Sequence, residues 1–183
     1  APNHPLLREI HTRFDEPHSR HHDISRAQLE AHGLGVLAES EAGGVHMAVS
    51  PDQFRIVYFQ GHPEYDINSL LKEYRREVFR FLEGELDTRP PFPEHYFPEA
   101  AQQIAARFID DALRTREAGR PVRDTLEQEI GAMLDNTWGD TAKAIVNNWL
   151  GLVYRLTNLD RKQQFMADID PNDPLGLQSD GNR

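Results

Sequence analysis

The 183 residues contain no cysteine. A disulfide framework and a thiolate metal site are therefore excluded, and no thiol nucleophile lies within the chain. No run of 18 apolar residues exists, so we expect no transmembrane helix. The first residues, Ala1 to His4, lack an initiator methionine and the basic and apolar regions of a signal peptide. We therefore expect a cytoplasmic protein, and a chain that is either processed or a fragment.

Basic residues are in the minority, since 20 Lys and Arg stand against 30 Asp and Glu, for a net charge of −10. A nucleic-acid-binding face needs excess cations to neutralise phosphates, so we expect no nucleic-acid partner. The hydrophobic share of 38% is enough to bury a core. A single domain, or part of a larger one, suits this length.

Strand patterns are concentrated before residue 60. The sequence predicts a short helix over 26–32 with Ser25 as its N-cap, followed by strands over 34–38, 45–49 and 54–59. The third strand is apolar at nearly every position, which is typical of a strand covered on both faces. Three strands are too few for a doubly wound α/β domain, which indicates that residues outside this chain complete the sheet.

Helix patterns dominate after residue 60. An apolar stripe predicts a helix from an N-cap at Asp66 to an end at Gly84. The proline-rich residues 87–98 cannot lie inside a helix. Three further apolar stripes predict helices, over residues 101–112, 126–134 and 142–156.

A histidine and a glutamate two residues apart directly follow the third predicted strand. Gly61 permits a sharp exit from that strand, and Pro63 stiffens the turn. Ligands of open α/β sheets bind beyond the carboxyl ends of the strands. His62 and Glu64 can therefore act as the base and orienting acid of a nucleophile–His–acid triad. A turn whose two side chains are merely solvated has the same spacing, and the residues alone leave both interpretations open.

A second polar loop contains Ser19 and Arg20, with Asp23 close behind. Ser19 can donate a hydrogen bond to a substrate, and Arg20 can hold a carboxylate in a bidentate fork. Ser19 is not predicted to be a nucleophile, because it lacks the Gly-x-Ser-x-Gly turn between strand and helix. A plain polar loop is the alternative, and the local sequence favours it.

Three closely spaced histidines, His18, His21 and His22, have the ligand chemistry of a zinc or nickel site. No further histidine or carboxylate completes a recognisable motif. We therefore predict no metal site.

Arg75 and Arg76 lie on the predicted helix after Asp66, off the apolar stripe that contains Tyr74 and Val78. By spacing alone they belong to a solvated helix face. Local pattern gives neither arginine a place at an active site.

Five short segments occur in a characteristic order along the chain. They are Pro17-His18-Ser19-Arg20, Leu37-Ala38-Glu39-Ser40-Glu41, Gly61-His62-Pro63-Glu64-Tyr65-Asp66, Glu73-Tyr74-Arg75-Arg76 and Asn148-Trp149-Leu150. Together they resemble the C-terminal half of the homoserine O-acyltransferases of methionine biosynthesis, which are homoserine O-succinyltransferases or O-acetyltransferases. The resemblance covers residues 10–86 and 138–160, and the first and third segments are specific as a pair.

The resemblance implies an α/β fold. The chain would be the C-terminal part of a flavodoxin-like three-layer sandwich, like that of class I glutamine amidotransferases, with extra C-terminal helices. It also implies a Cys–His–Glu triad in which His62 is the general base and Glu64 orients it. Ser19 and Arg76 match the positions that bind the amino-acid substrate.

The implied reaction is ping-pong transfer of a succinyl or acetyl group from acyl-CoA to the hydroxyl of L-homoserine. Acyl-CoA is a co-substrate, and we expect no cofactor. The family's nucleophilic cysteine, its oxyanion-hole donors and a substrate-binding lysine belong to its N-terminal half. That half is therefore an expected partner, and this chain alone is expected to be inactive.

We divide the chain into four parts. They are residues 1–98, the α/β part with the His–Glu site; 99–137, a helical insertion; 138–166, a closing helix; and 167–183, a loose tail. The insertion has no counterpart in shorter family members, and a dimerisation element or a lid would explain it. The expected partners thus include a second copy of this chain in a homodimer. We expect no membrane partner.

Three alternatives stay open. In the first, the acceptor is serine instead of homoserine, since one methylene is worth only about 1–3 kcal/mol of discrimination. In the second, the chain is a non-catalytic binding or assembly module on the same scaffold. A glutamine amidotransferase would need the same upstream cysteine and would release ammonia from glutamine.

Overall fold

A computed structural model describes residues 3–178 and divides into two compact units. The first unit contains the residues up to Glu64 together with those from Thr137 onward, and the second contains Tyr65–Asn136. The four-part division stays a prediction. No helix among the described residues has the length and apolar character needed to cross a bilayer.

The first unit contains a small antiparallel sheet. Strand β1 (Gly35–Ser40) pairs with β2 (Gly44–Val49), and β2 pairs with β3 (Val57–Phe59). The hairpin between β1 and β2 ends where Ser40 faces Gly44. An α/β chain is thereby confirmed, while the flavodoxin-like sandwich stays a prediction. Because the described strands are antiparallel, the rule for carboxyl ends of parallel strands does not by itself locate a site here.

The third strand is shorter than predicted, and its coverage on both faces in the whole protein stays a prediction. Asp52 explains the late start, because its Oδ1 accepts hydrogen bonds from the amides of Phe54 and Arg55, both at 3.0 Å. These amides are thereby engaged in a local turn rather than in the ladder. Beyond the turn, Ile56 is 50% exposed and Tyr58 is 41% exposed. Strand β3 is therefore an edge strand of the described sheet.

The core of the first unit lies between the sheet and a helix. Helix α1 (Arg26–Ala31) begins at Ser25 with a capping box to Gln28, as the Ser25 N-cap predicted. Helix α5 (Gly139–Leu156) supplies the apolar stripe that packs on the sheet. The buried members of this cluster are Leu6, Leu37, Met47, Val49, Phe54, Ile145, Leu152, Leu156 and Phe165.

The second unit is helical. It contains α2 (Ser69–Glu83), α3 (Glu99–Glu117) and α4 (Leu126–Ile130), with a 3-10 turn over Gly131–Met133. The predicted stripe over 101–112 is confirmed as the buried face of α3. Most of the stripe over 126–134 is divided between α4 and the 3-10 turn.

Helix α2 starts later than predicted and ends where predicted. The predicted N-cap is Asp66, but the N-cap of α2 is Asn68. Asp66 instead closes a turn before the helix, where its Oδ1 accepts from the Asn68 amide at 2.9 Å and from the Ser69 hydroxyl at 3.0 Å. At the other end, Gly84 has a φ of 83°, a left-handed conformation that glycine adopts without steric cost.

Candidate active site

The histidine turn, residues 60–64, directly follows β3 in the first unit. The His62 Nδ1 atom lies 2.9 Å from Glu64 Oε1. The two side chains that the sequence pairs are therefore in hydrogen-bond contact. His62 is 31% exposed and Glu64 68% exposed at the side chain, so the pair lies at the surface of the described chain.

The two nitrogens of His62 face different acceptors. When Nδ1–H donates to Glu64, the second nitrogen, Nε2, is the basic atom of a neutral imidazole. Nε2 lies 3.3 Å from the carbonyl oxygen of Ser19. In the imidazolium both nitrogens donate, and both acceptors are in place. The geometry thus suits an imidazole that takes up a proton.

The carboxyl of Glu64 is held in its charged form. Partial burial alone would raise its pKa, but the hydrogen bonds from His62 and from its own backbone amide outweigh burial and lower the pKa below its ordinary value. An ionised Glu64 can fix the imidazole tautomer and stabilise an imidazolium.

Backbone and amide contacts hold the Ser19 loop against the histidine turn. The amide of His62 donates to the Pro17 carbonyl at 2.8 Å. The Gln60 side chain bonds both backbone groups of Ile24, accepting from the amide at 2.6 Å and donating to the carbonyl at 2.8 Å. Two segments far apart in sequence are thereby joined at both ends of the loop.

Ser19 and Arg20 differ in exposure and in their hydrogen bonds. Ser19 is exposed, and its carbonyl is the group that faces His62. Arg20 donates to Gly43 O at 2.5 Å and to His18 Nδ1 at 2.6 Å. Its guanidinium is thus engaged within the chain, which disfavours the substrate fork considered for Arg20. The substrate-binding role of Ser19 stays a prediction.

Arg76 lies on α2, in the second unit. It is exposed, and its Nε donates to Glu77 Oε1 at 3.2 Å. Its neighbour Arg75 instead pairs with Asp124 and lies over the ring of Phe79. The role that the family resemblance implies for Arg76 stays a prediction.

The second unit also has an open polar cleft of about 610 Å³. Asn68, Arg75 and Asp124 are among its lining residues. None of the four predicted site residues lines it, so the cleft does not coincide with the predicted chemistry.

Two buried polar side chains beside the histidine turn were not predicted from the sequence. Glu16 and His46, here called the buried pair, are 5% and 6% exposed, and Glu16 Oε2 lies 3.6 Å from His46 Nε2. Among the described residues, neither carboxyl oxygen and neither ring nitrogen makes a hydrogen bond. One signal was present in the sequence: His46 is the single polar residue in the strand run Val45–Val49.

Both members of the buried pair are neutral near pH 7. Burial raises the pKa of Glu16 to about 8, with a further increase from the negative charge of Glu64. Burial lowers the pKa of His46 to about 4, and the charges of His18 and Arg20 lower it further. The 3.6 Å contact is therefore one between a carboxylic acid and a neutral imidazole, not an ion pair.

The three closely spaced histidines do not converge. His18 packs edge-on against the ring of His46 and accepts from Arg20, whereas His21 and His22 are exposed. Within residues 3–178, no three histidine, aspartate or glutamate side chains are arranged to hold a metal ion.

Comparison with known proteins points to one family. The sequence model of the family described as homoserine O-succinyltransferase matches residues 1–159. A protein of that name from Nitrosococcus oceani is 57% identical over 175 residues, which is 96% of this chain and 49% of the relative. Its namesake from Methylococcus capsulatus is 56% identical over 179 residues, covering 96% and 50%. Another from Allochromatium vinosum is 54% identical over 177 residues, covering 97% and 50%. The chain thus spans about half the length of the curated relatives it matches.

Proposed function

Because the chain belongs to the homoserine O-succinyltransferase family, we propose that it provides the general base and the orienting acid of an acyltransferase acting on L-homoserine. His62 is the base, and Glu64 is the acid that orients it. The acyl group is succinyl, as in the names of the relatives. The succinyl donor is an acyl-CoA.

The observation that carries this proposal is the 2.9 Å contact between His62 Nδ1 and Glu64 Oε1. A general base must be oriented, and a carboxylate on one ring nitrogen leaves the other nitrogen to accept the proton. The Ser19 carbonyl, 3.3 Å from Nε2, adds an acceptor for the imidazolium. These contacts support a histidine that gains and returns a proton in each half-reaction.

The proposed chemistry has two steps. In the first, His62 takes the proton of a cysteine thiol supplied by the other half of the protein, and the thiolate attacks the thioester carbonyl. CoA leaves with a proton from the imidazolium, and a succinyl-cysteine thioester remains. In the second, His62 takes the hydroxyl proton of homoserine as its oxygen attacks that thioester. The cysteine then leaves and is reprotonated, which restores the starting state.

Ser19 and Arg76 are proposed to bind the amino-acid acceptor. A guanidinium holds a carboxylate through two parallel hydrogen bonds, which fits Arg76 to the carboxylate of homoserine. The exposed Ser19 is adjacent in sequence to Arg20, whose guanidinium is tied into the loop. The hydroxyl of Ser19 therefore sits on a braced segment that can present it to substrate.

The proposal is tested by kinetics on the full-length protein with succinyl-CoA and homoserine. Replacing His62 by alanine is expected to lower kcat at least about 10³-fold, because the removal of a general base that serves both half-reactions is costly. Glu64→Gln is expected to lower kcat about 10- to 100-fold, since the tautomer is less well held. Mass spectrometry should show a succinylated protein when homoserine is omitted.

His32→Ala is the matched control, because His32 is an exposed histidine of the same unit. It should leave kcat unchanged. Wild-type turnover by the His62→Ala protein would overturn the proposal. Comparing kcat/KM for homoserine and serine tests the acceptor, and comparing succinyl-CoA with acetyl-CoA tests the donor. The 183-residue chain alone should release no CoA.

A further inference from the structure

The backbone of Gly61 lies directly on the buried pair. A Cβ atom at Gly61 would lie 2.7 Å from His46 Nδ1 and 2.8 Å from Glu16 Cγ. Both distances are shorter than any normal carbon contact, so position 61 admits only glycine unless the pair moves. The residue that follows is His62. The buried pair therefore packs directly against the backbone of the histidine turn.

Hydrogen bonds on either side of Gly61 connect the turn to the backbone of His46 and to that of Pro17. The Gln60 amide donates to the carbonyl of His46 at 2.8 Å, and the His62 amide donates to the carbonyl of Pro17, the neighbour of Glu16, at 2.8 Å. The backbone that carries each buried side chain, or its immediate neighbour, is thus bonded to the chain on one side of Gly61. The imidazole of His62 is one residue from this contact.

The buried pair has the character of a functional element rather than of ordinary core. Buried polar atoms in proteins are nearly always hydrogen-bonded, yet all four of these side-chain atoms lack a hydrogen bond within residues 3–178. An apolar pair of similar volume would fill the same space without that penalty. Locally unfavourable choices of this kind are concentrated at functional sites.

Three ionisable groups act on the buried pair. The charge of Glu64 acts on Glu16, and the charges of His18 and Arg20 act on His46. His18 is in turn affected by His62, after burial and Arg20, and its pKa is lowered. The proposed acid, Glu64, is thus electrostatically linked to Glu16, whereas the proposed base, His62, acts on His18, whose ring contacts that of His46.

We propose that Glu16 and His46 are positioning residues that set where the histidine turn leaves the sheet, and through it the orientation of His62 toward Glu64. This inference rests on the proposed function of His62 and Glu64. The buried pair acts through Gly61 and the Pro17 carbonyl, and touches no reacting atom. Its neutral form supplies shape and contact rather than charge.

The test uses the full-length protein with succinyl-CoA and homoserine. Glu16→Ala and His46→Ala are each expected to lower kcat about 10- to 100-fold, with KM for homoserine changed less than about 3-fold, because small displacements of a catalytic group are costly. Glu16→Gln keeps the shape of the protonated acid and is expected to restore most of kcat relative to Glu16→Ala. The ¹⁵N signals of the His62 imidazole should shift in the alanine variants.

Gly61→Ala provides a measurement that does not depend on the folding of the alanine variants of the buried pair. Its added Cβ should push the turn off the pair and lower kcat at least about 10-fold, with the His62 imidazole signals shifted. Circular dichroism and thermal unfolding identify any variant that is not folded.

The outcomes separate this inference from the proposed function. Folded variants at Glu16, His46 and Gly61 with wild-type kcat and unshifted His62 signals would overturn the positioning role, even while His62→Ala remains inactive. A large loss in Glu16→Gln alone would assign Glu16 a charge-dependent role and also overturn it. An active His62→Ala protein would instead remove the proposed function itself.

Discussion

Ionisable side chains are exposed and paired on the surface of the helical unit, but buried and without hydrogen bonds among the described residues beside the histidine turn. On the helical unit, Arg80 pairs with Glu77 and Arg89 pairs with Asp110, and all four are at least partly exposed. Beside the histidine turn, Glu16 and His46 are buried, neutral and without hydrogen bonds among the described residues. Only the second arrangement is hard to explain by solubility or stability.

The two arrangements also differ in their contribution to stability. An exposed ion pair contributes about 0–1 kcal/mol, because water screens it and the side chains lose freedom. A buried polar group without a partner costs about 1–3 kcal/mol. The helical unit therefore derives its stability mainly from its apolar core, although Asn68 Oδ1 and Tyr74 OH are also buried there without a hydrogen bond among the described residues. In the first unit, the buried pair lowers stability at one place. That place adjoins the proposed catalytic histidine.

The largest expected effect concerns the apolar core of the helical unit and its contribution to the free energy of unfolding. Leu71 is completely buried in the core of the helical unit. Leu71→Ala should lower the free energy of unfolding by about 2–5 kcal/mol, since it removes buried methylenes and leaves a cavity. Urea unfolding of the full-length protein, followed by circular dichroism, measures the loss. A change below about 1 kcal/mol would contradict the dominance of the apolar core.

The next effect concerns Glu16 and its dependence on pH. The folded pKa of about 8 is above the ordinary value of 4.5, so between these values the unfolded chain releases a proton that the folded chain keeps. The free energy of unfolding therefore falls as pH rises through this window. Glu16→Gln lacks this loss.

The stability advantage of Glu16→Gln should accordingly grow with pH and reach about 1–3 kcal/mol near pH 8, after an allowance for the buried amide. Urea titrations at pH 5 and pH 8 measure it. An advantage that is the same at both pH values would show that Glu16 is ionised in the folded protein, and the contrast between the two regions would be lost.

A smaller effect is expected from the buried histidines in acid. Burial lowers the pKa of His46 from 6.5 to about 4, so as pH falls through this window the unfolded chain takes up a proton before the folded chain does. The free energy of unfolding therefore falls. His46→Gln should remove about 1–2 kcal/mol of the loss between pH 6.5 and pH 4.

His4 provides the matched comparison for His46. It is also buried with a pKa of about 4, but its two ring nitrogens contact the Leu6 amide and the Gln53 carbonyl, both at 3.2 Å. His4→Gln should remove a similar acid-induced loss but should also destabilise the protein at pH 7, because those hydrogen bonds are broken. His46→Gln should not show that additional destabilisation. Equal destabilisation at pH 7 would mean that His46 has hydrogen-bond partners as well.

The smallest effect is expected on the surface of the helical unit. Arg89→Ala breaks the exposed pair with Asp110 and should change the free energy of unfolding by less than about 1 kcal/mol. The change should shrink further in 1 M salt, because screening weakens exposed charge pairs. A larger, salt-independent change would place this ion pair among the main stabilising contacts and contradict the comparison.

Local chemistry allowed several features to be predicted. Ser25 caps α1 because a hydroxyl satisfies the first free amides, and Gly84 ends α2 because it adopts a left-handed backbone without strain. The pairing of His62 with Glu64 was predictable because the two residues are two positions apart in one turn. In each case the interacting groups are close in sequence.

Predictions failed where side chains compete for backbone amides. Asp66 has the chemistry of an N-cap, but it closes the preceding turn and α2 begins only at Ser69. Asp52 in the same way withdraws the amides of Phe54 and Arg55 from the predicted third strand. Apolar pattern does not reveal which of two neighbouring turns an aspartate will cap.

The sequence by itself determined the family, the helical stripes and the residues proposed as base and acid, because motif spacing and periodicity are local properties of the chain. Only the tertiary structure brought Glu16 and His46 together beneath Gly61, across 30 residues that follow no period. Burial then set their protonation, since the cost of a charge depends on the surroundings that folding creates and not on the residue alone.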